Sequence, residues 1–123
     1  MAIGEDDLRA WADAYIEGQQ DPSILQEGNP FWWAVNKFWD SSAEDCWLAI
    51  LQILSKDPPP AVVGVLAAGP LEDLIHDQGL QFIERIETEA RRNAAFRRLL
   101  CGVWKSSSPE IWARVLKARD TAQ

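Results

Sequence analysis

Apolar positions recur at helical spacing from the first residues onward. Leu8, Trp11, Ala12, Tyr15 and Ile16 share one face of a predicted helix over residues 5–18, with Glu5, Asp6 and Asp7 suited to its positive N-terminal end and Gly18 closing it. Residues 19–30 turn to Gln, Asp, Gly and Asn with Pro22 and Pro30, which is loop chemistry. In the segment Phe31 to Trp39 the aromatic residues cover several faces of a two-turn helix instead of one stripe, so some of them are expected at the surface. Ser41 with Glu44 three residues later has capping-box spacing and opens a helix through about Ser55. Trp47, Ile50, Leu51 and Leu54 form its stripe, widened by Leu48 and Ile53, which marks a central helix.

The three prolines at 58–60 end one element and start another, because the first turn of a helix needs no N–H donors there. Val62, Val63 and Val65 would suit a strand over Ala61–Ala68, but a lone strand has no partner elsewhere in the chain, so helix is the better reading. Gly69 and Pro70 supply a stop and a restart; Leu71, Leu74 and Ile75 pattern a short helix that Gly79 terminates, and Phe82, Ile83, Ile86 and Ala90 pattern the next. Asn93 is the candidate cap of a further helix whose Phe96, Leu99, Leu100, Val103 and Trp104 form a clean stripe. Ser106–Ser108 and Pro109 make a turn with a cap and a first-turn proline, and Trp112, Val115 and Leu116 carry the last helix. The fold expected is all-α: a compact array of short antiparallel helices resembling HEAT-type helical hairpins, without a repeat of constant period, in one domain over residues 1–123.

Composition adds limits. With 47% apolar residues and seven tryptophans, 123 residues fill one core and leave aromatics for a surface. No apolar run approaches the roughly 20 residues of a membrane-spanning helix, and the acidic N-terminus lacks the basic and apolar regions of a secretory signal, so the cytoplasm is the expected location. Cys46 and Cys101 lie within apolar helical patterns and read as buried, reduced thiols. The formal charge of −7 is uneven: residues 1–60 carry eleven acids and three bases, residues 61–84 four acids and no base, and residues 85–123 four acids and nine bases.

The string Leu66-Ala67-Ala68-Gly69-Pro70-Leu71-Glu72-Asp73-Leu74-Ile75, with Phe82-Ile83-Glu84-Arg85-Ile86-Glu87 and Phe96 through Trp104, resembles a family of small bacterial proteins classed as a domain of unknown function. The resemblance covers roughly residues 45–116, leaves the aromatic segment outside, and implies a helical domain without bringing an activity.

Chemistry is thin. His76 is the only histidine, so nucleophilic catalysis through a serine or cysteine lacks a base, and a di-iron or HD-type metal site lacks ligands. The remaining enzyme reading is a carboxylate-rich divalent-metal site built from Glu72, Asp73, His76, Glu84 and Glu87. No phosphate-binding glycine loop and no CxxC pair is present, and no cofactor is expected. Arg85, Arg91, Arg92, Arg97, Arg98, Lys105, Arg114, Lys117 and Arg119 form a basic sector without an interleaved aromatic reading surface, and the acidic front opposes a polyanion, so nucleic acid is not the expected partner.

The expectation that remains is a protein-binding module. Glu5, Asp6, Asp7, Asp13, Glu17, Glu27 and Asp40 would steer a basic partner, and Trp32, Trp33 and Trp39 would anchor it. An immunity protein or antitoxin that covers the basic face of a toxin or effector fits this physics. So does a phage-borne inhibitor of a bacterial defence complex. A scaffold in which the aromatic segment pairs with its own copy as a homodimer is the remaining alternative.

Overall fold

The computed structural model describes residues 3–120 and is all-helical over them, with no strand. The elements are α1 (Glu5–Gln19), α2 (Trp32–Asp40), α3 (Ala43–Ser55), α4 (Pro60–Leu66), a π-helical turn (Ala67–Leu71), α5 (Glu72–Arg92), α6 (Ala94–Leu100) and α7 (Pro109–Arg119). They group into two compact units, Met1–Val62 and Val63–Gln123. No helix is long and apolar enough to cross a membrane.

In the first unit α1 packs on both α2 and α3. Its first turn carries Glu5, Asp6 and Asp7, as the macrodipole favours. Its buried side is Trp11, Ala12, Tyr15 and Gly18. Gly18 does not end the helix. It lies in the last turn, where a Cβ would stand 2.7 Å from Phe31 Cβ and 3.0 Å from Ile24 Cδ1, so the loop after α1 can fold back on it only because no side chain is there. The cost of that clash, about 1–3 kcal/mol, outweighs the gain of roughly 1 kcal/mol that alanine offers over glycine in a helix.

The loop itself is tied by side chains. Asp21 accepts from the Ser23 N–H at 2.9 Å and the Ser23 hydroxyl at 2.8 Å, Asn29 Nδ2 donates to Asp21 Oδ2 at 3.1 Å, and Asn29 Oδ1 accepts the Phe31 N–H at 2.8 Å. The bonds to Asp21, the Ser23 N–H first, hold its carboxyl below its ordinary value, and the Asn29–Phe31 bond ties the loop to the start of α2.

The cap of α3 is one residue later than its sequence spacing suggests. Ser42, in extended conformation, is the N-cap and accepts the Asp45 N–H at 3.2 Å, while Ser41 is the C-cap of α2. The inward face of α3 is Cys46, Trp47, Ala49, Ile50, Ile53 and Leu54; Leu48 and Leu51 are half-buried.

In the second unit the expected stop at Gly69-Pro70 is absent. Pro70 sits inside the π turn, whose wider register lets the Glu72 N–H reach back to the Ala67 carbonyl, so the chain stays helical past a residue with no N–H. The break expected at Gly79 falls one residue earlier, as a kink at Gln78 (φ −133°, ψ 26°) that joins two helical stretches within α5, and Gly79 serves as a contact point, since a Cβ there would stand 2.8 Å from Ser107 Oγ and 3.0 Å from Ile111 Cγ2.

Asn93 caps α6 as expected, accepting from Ala95 N at 3.0 Å and Phe96 N at 3.3 Å. Beside it Glu89, the one buried charged residue among those described, accepts from Arg92 at 2.7 Å and from Asn93 Nδ2 at 3.0 Å, which locks the corner between α5 and α6. Ser108 and Pro109 start α7, whose buried residues are Ile111, Val115 and Ala118; Trp112 and Leu116 are half-buried. Arg114 clasps Glu87 through two bonds of 2.9 and 2.6 Å and so ties α7 to α5.

Candidate functional site

The aromatic segment divides between two faces of α2. At about 100° per residue, Ala34 and Phe38 point to one side, where Phe38 meets Trp11 at 4.7 Å and Tyr15 at 5.5 Å between ring centroids. Trp11 also donates its indole N–H to the Ala34 carbonyl at 2.8 Å and lies under Lys37 Nζ, 5.2 Å from the ring centroid. Burial pushes the Tyr15 hydroxyl well above its ordinary pKa. This side is core.

The opposite arc, about 120° wide by the same spacing, carries Trp39, Trp32, Asn36, Asp40 and Trp33 in angular order. Trp32, Trp33 and Trp39 are 36, 45 and 63% exposed. Trp32 and Trp39 meet edge to face at 5.8 Å, and Asn36 Nδ2 holds Asp40 Oδ2 at 3.0 Å. The result is a platform of indoles, two of them in contact, with a carboxylate between these and Trp33. Such an arrangement can bury rigid apolar area against a partner at low entropic cost.

The acids expected at the site are all exposed, but they do not form one cluster. Asp6, Asp13 and Glu17 follow a single outward line on α1, Glu5 and Asp7 flank its N-terminal end, Glu27 lies on the loop, and only Asp40 shares the face of the tryptophans. Two are partly engaged: Asp6 pairs with Arg9, and Asp13 with Lys56 at 2.9 Å. Asp13, Glu17, Ile16, Gln20 and Lys56 line a shallow open groove. The excess of acids in Met1–Val62 gives this unit a negative field, not a shaped pocket.

The second unit corrects three expectations. Cys101 is exposed, its thiol turned to the Arg97 carbonyl at 3.4 Å, whereas Cys46 is buried, bonded to the Phe38 carbonyl at 3.3 Å and pushed up to about 11 by desolvation. Trp104 lies beyond the end of α6 and is 75% exposed, because the helix stops at Leu100 and only Val103 turns inward. The signal for this was Gly102, a helix-terminating residue standing before both. The basic sector therefore does contain an exposed aromatic.

Of the groups proposed for a metal, Glu72 and Glu87 are engaged elsewhere and Glu84 is exposed. Glu72 Oε1 accepts the Trp104 N–H at 2.9 Å, and Glu87, held below the ordinary glutamate range by its hydrogen bonds to Arg114, is paired. Asp73 and His76 are exposed, and desolvation followed by the neighbouring Asp77 and Glu72 charges raises the Asp73 carboxyl. Among the described residues no three His, Cys, Asp or Glu side chains are placed to hold a metal ion.

A family model matches residues 21–123, described as a family of unknown function, DUF6869. The chain belongs to this family. The match begins ahead of Phe31, so the aromatic helix α2 lies inside the family's region, not before it as the segments from residue 45 onward imply. Comparison with curated proteins and with solved structures finds no match.

Proposed function

We propose that this protein is a binding module that recognises another protein through the outward arc of α2. The observation that carries the reading is that Trp32, Trp33 and Trp39 are exposed together on a helix whose other side is locked into the core. Indoles at this density on one exposed face are costly to leave in water and are typical anchors of interfaces. The surrounding charge selects the partner: Met1–Val62 carries eleven acids against three bases, which steers a basic surface toward the platform and repels nucleic acid.

The finer form of the proposal is an inhibitor of the immunity or antitoxin type, acting in a bacterial cytoplasm, that covers the basic working face of a toxin or effector. No catalytic step is assigned to it. The indoles fill the centre of the contact, the acids of α1 and Asp40 set its orientation, and the partner's substrate is kept out by occlusion.

The test is affinity capture from native lysate at low and moderate salt, with wild type beside Trp32→Ala/Trp33→Ala, followed by reconstitution with the captured protein. The reading requires one stoichiometric basic partner, weakened by salt, lost on the double substitution, and blocked in its own activity by the wild-type chain. Retention of nucleic acid, or of the same partner by the double variant, would refute it.

A further inference from the structure

Asn36 stands at the centre of the outward arc of α2. Trp32 and Trp33 lie one turn before it, and Trp39 and Asp40 one turn after it, so three indoles and a carboxylate surround one half-buried amide. The amide gives its nitrogen to Asp40 Oδ2 at 3.0 Å, which turns Asn36 Oδ1 away from the carboxylate. Neither Asn36 Oδ1 nor the second oxygen of Asp40 accepts a bond from the described residues. The polar centre of the arc is therefore rich in acceptors, and its rim is aromatic.

No base of the first unit answers those acceptors. Met1–Val62 has three: Arg9 pairs with Asp6, Lys56 pairs with Asp13, and Lys37, although three residues from Asp40, lies over the Trp11 ring instead. A group complementary to the arc must carry positive charge, more than one donor, and a flat face for the indoles. A guanidinium has all three: five N–H donors in one plane, a charge that persists at any working pH, and weak hydration, so that it stacks on rings readily. An ammonium is a compact, strongly hydrated point charge with no face to stack. Indole is also the aromatic side chain that attracts a cation most strongly.

We propose that the arc of α2 receives an arginine side chain of the partner, its N–H groups donated to Asp40 and to Asn36 Oδ1 and its plane laid against the exposed indoles. The inference rests on the proposed function for the site and supplies the chemistry of the residue that enters it. An ion pair in open solvent contributes little, and the indoles matter because they keep water from this one.

The experiment is a titration of the isotope-labelled full chain with the capped tripeptide acetyl-Gly-Arg-Gly-amide. It is read on the indole N–H resonances, assigned with Trp32→Phe, Trp33→Phe and Trp39→Phe. The signals of these three residues should move saturably, with a dissociation constant in the millimolar range, while that of buried Trp11 stays in place. Lysine in place of arginine should bind about threefold more weakly, and citrulline, which keeps the shape and loses the charge, about tenfold. Asp40→Asn should cost about threefold. Trp32→Ala/Trp33→Ala should remove the effect, and the dispersion of the backbone signals verifies that both variants are folded. Indole signals that stay still into the tens of millimolar, equal binding of the lysine or citrulline peptide, or undiminished binding by Asp40→Asn would each overturn the proposal. Because no partner protein is present, a silent titration beside a partner captured as above refutes the arginine anchor alone. Arginine binding beside an empty capture refutes the inhibitor reading alone.

Discussion

Trp11 shows how one side chain sets both faces of the site. It is fully buried, it gives its N–H to the Ala34 carbonyl at 2.8 Å, and its ring packs on Phe38, so it fixes which side of α2 faces inward and leaves the remaining indoles outside. Trp11→Ala should cost about 3–5 kcal/mol, and Trp11→Phe less, the missing hydrogen bond contributing about 1 kcal/mol; urea unfolding measures both. If the rotation of α2 depends on Trp11, the alanine variant should also weaken partner binding. The two thiols make a second contrast at this scale. Cys46 is buried with its pKa pushed up to about 11, and Cys101 is exposed, so a thiol reagent at neutral pH should modify Cys101 quickly in the native protein and Cys46 only after denaturation. Rapid labelling of Cys46 would contradict the burial of its thiol against the Phe38 carbonyl.

Among elements, the corner between α5 and α6 depends on one residue. Asn93 caps α6 with its side-chain oxygen and holds Glu89 with its nitrogen, so Asn93→Ala removes a cap worth about 0.5–2 kcal/mol and takes a donor from a buried carboxylate. A fall in the melting temperature larger than that of Ser42→Ala, which loses a cap alone, is the expected result. The Glu87–Arg114 clasp gives α5 and α7 a pH dependence. Because the folded-state pKa of Glu87 lies below its ordinary 4.5, the stabilisation is fully present above that value and is lost as pH falls through the lower folded-state pKa. Glu87→Gln should therefore lower the melting temperature at neutral pH, and the difference from wild type should shrink in that acid window. A constant difference would show that the charge of Glu87 is not what binds the helices. Periodicity in the sequence was sufficient to place several helices, since α1 and α3 start and stop, and α7 starts, within a residue or two of where the pattern predicts. It missed the continuity of α4 into α5, because proline and glycine weaken a helix locally while the π register and the burial of Ala67 and Leu71 carry it through.

For the whole molecule, what the sequence could and could not say about the site has one physical origin. Helical spacing tells which side chains share a face, but not which face finds a neighbour; that depends on the other elements. Hence the acids and tryptophans expected at the surface are there, yet nothing in the pattern of Phe31 to Trp39 separates Phe38 from Trp39, and the stripe ending in Trp104 reads as core although the helix stops short of it. The same division has an optical consequence. Trp11 and Trp47 are shielded from water and Trp112 is half-buried, while Trp32, Trp33, Trp39 and Trp104 are exposed, so the red edge of the intrinsic fluorescence comes mainly from the α2 arc and from Trp104. Any molecule that covers either of them should move the emission to shorter wavelength and protect it from iodide quenching. Trp104→Phe and Trp32→Phe assign that change to one surface or the other, which makes the chain its own reporter of where it is being touched.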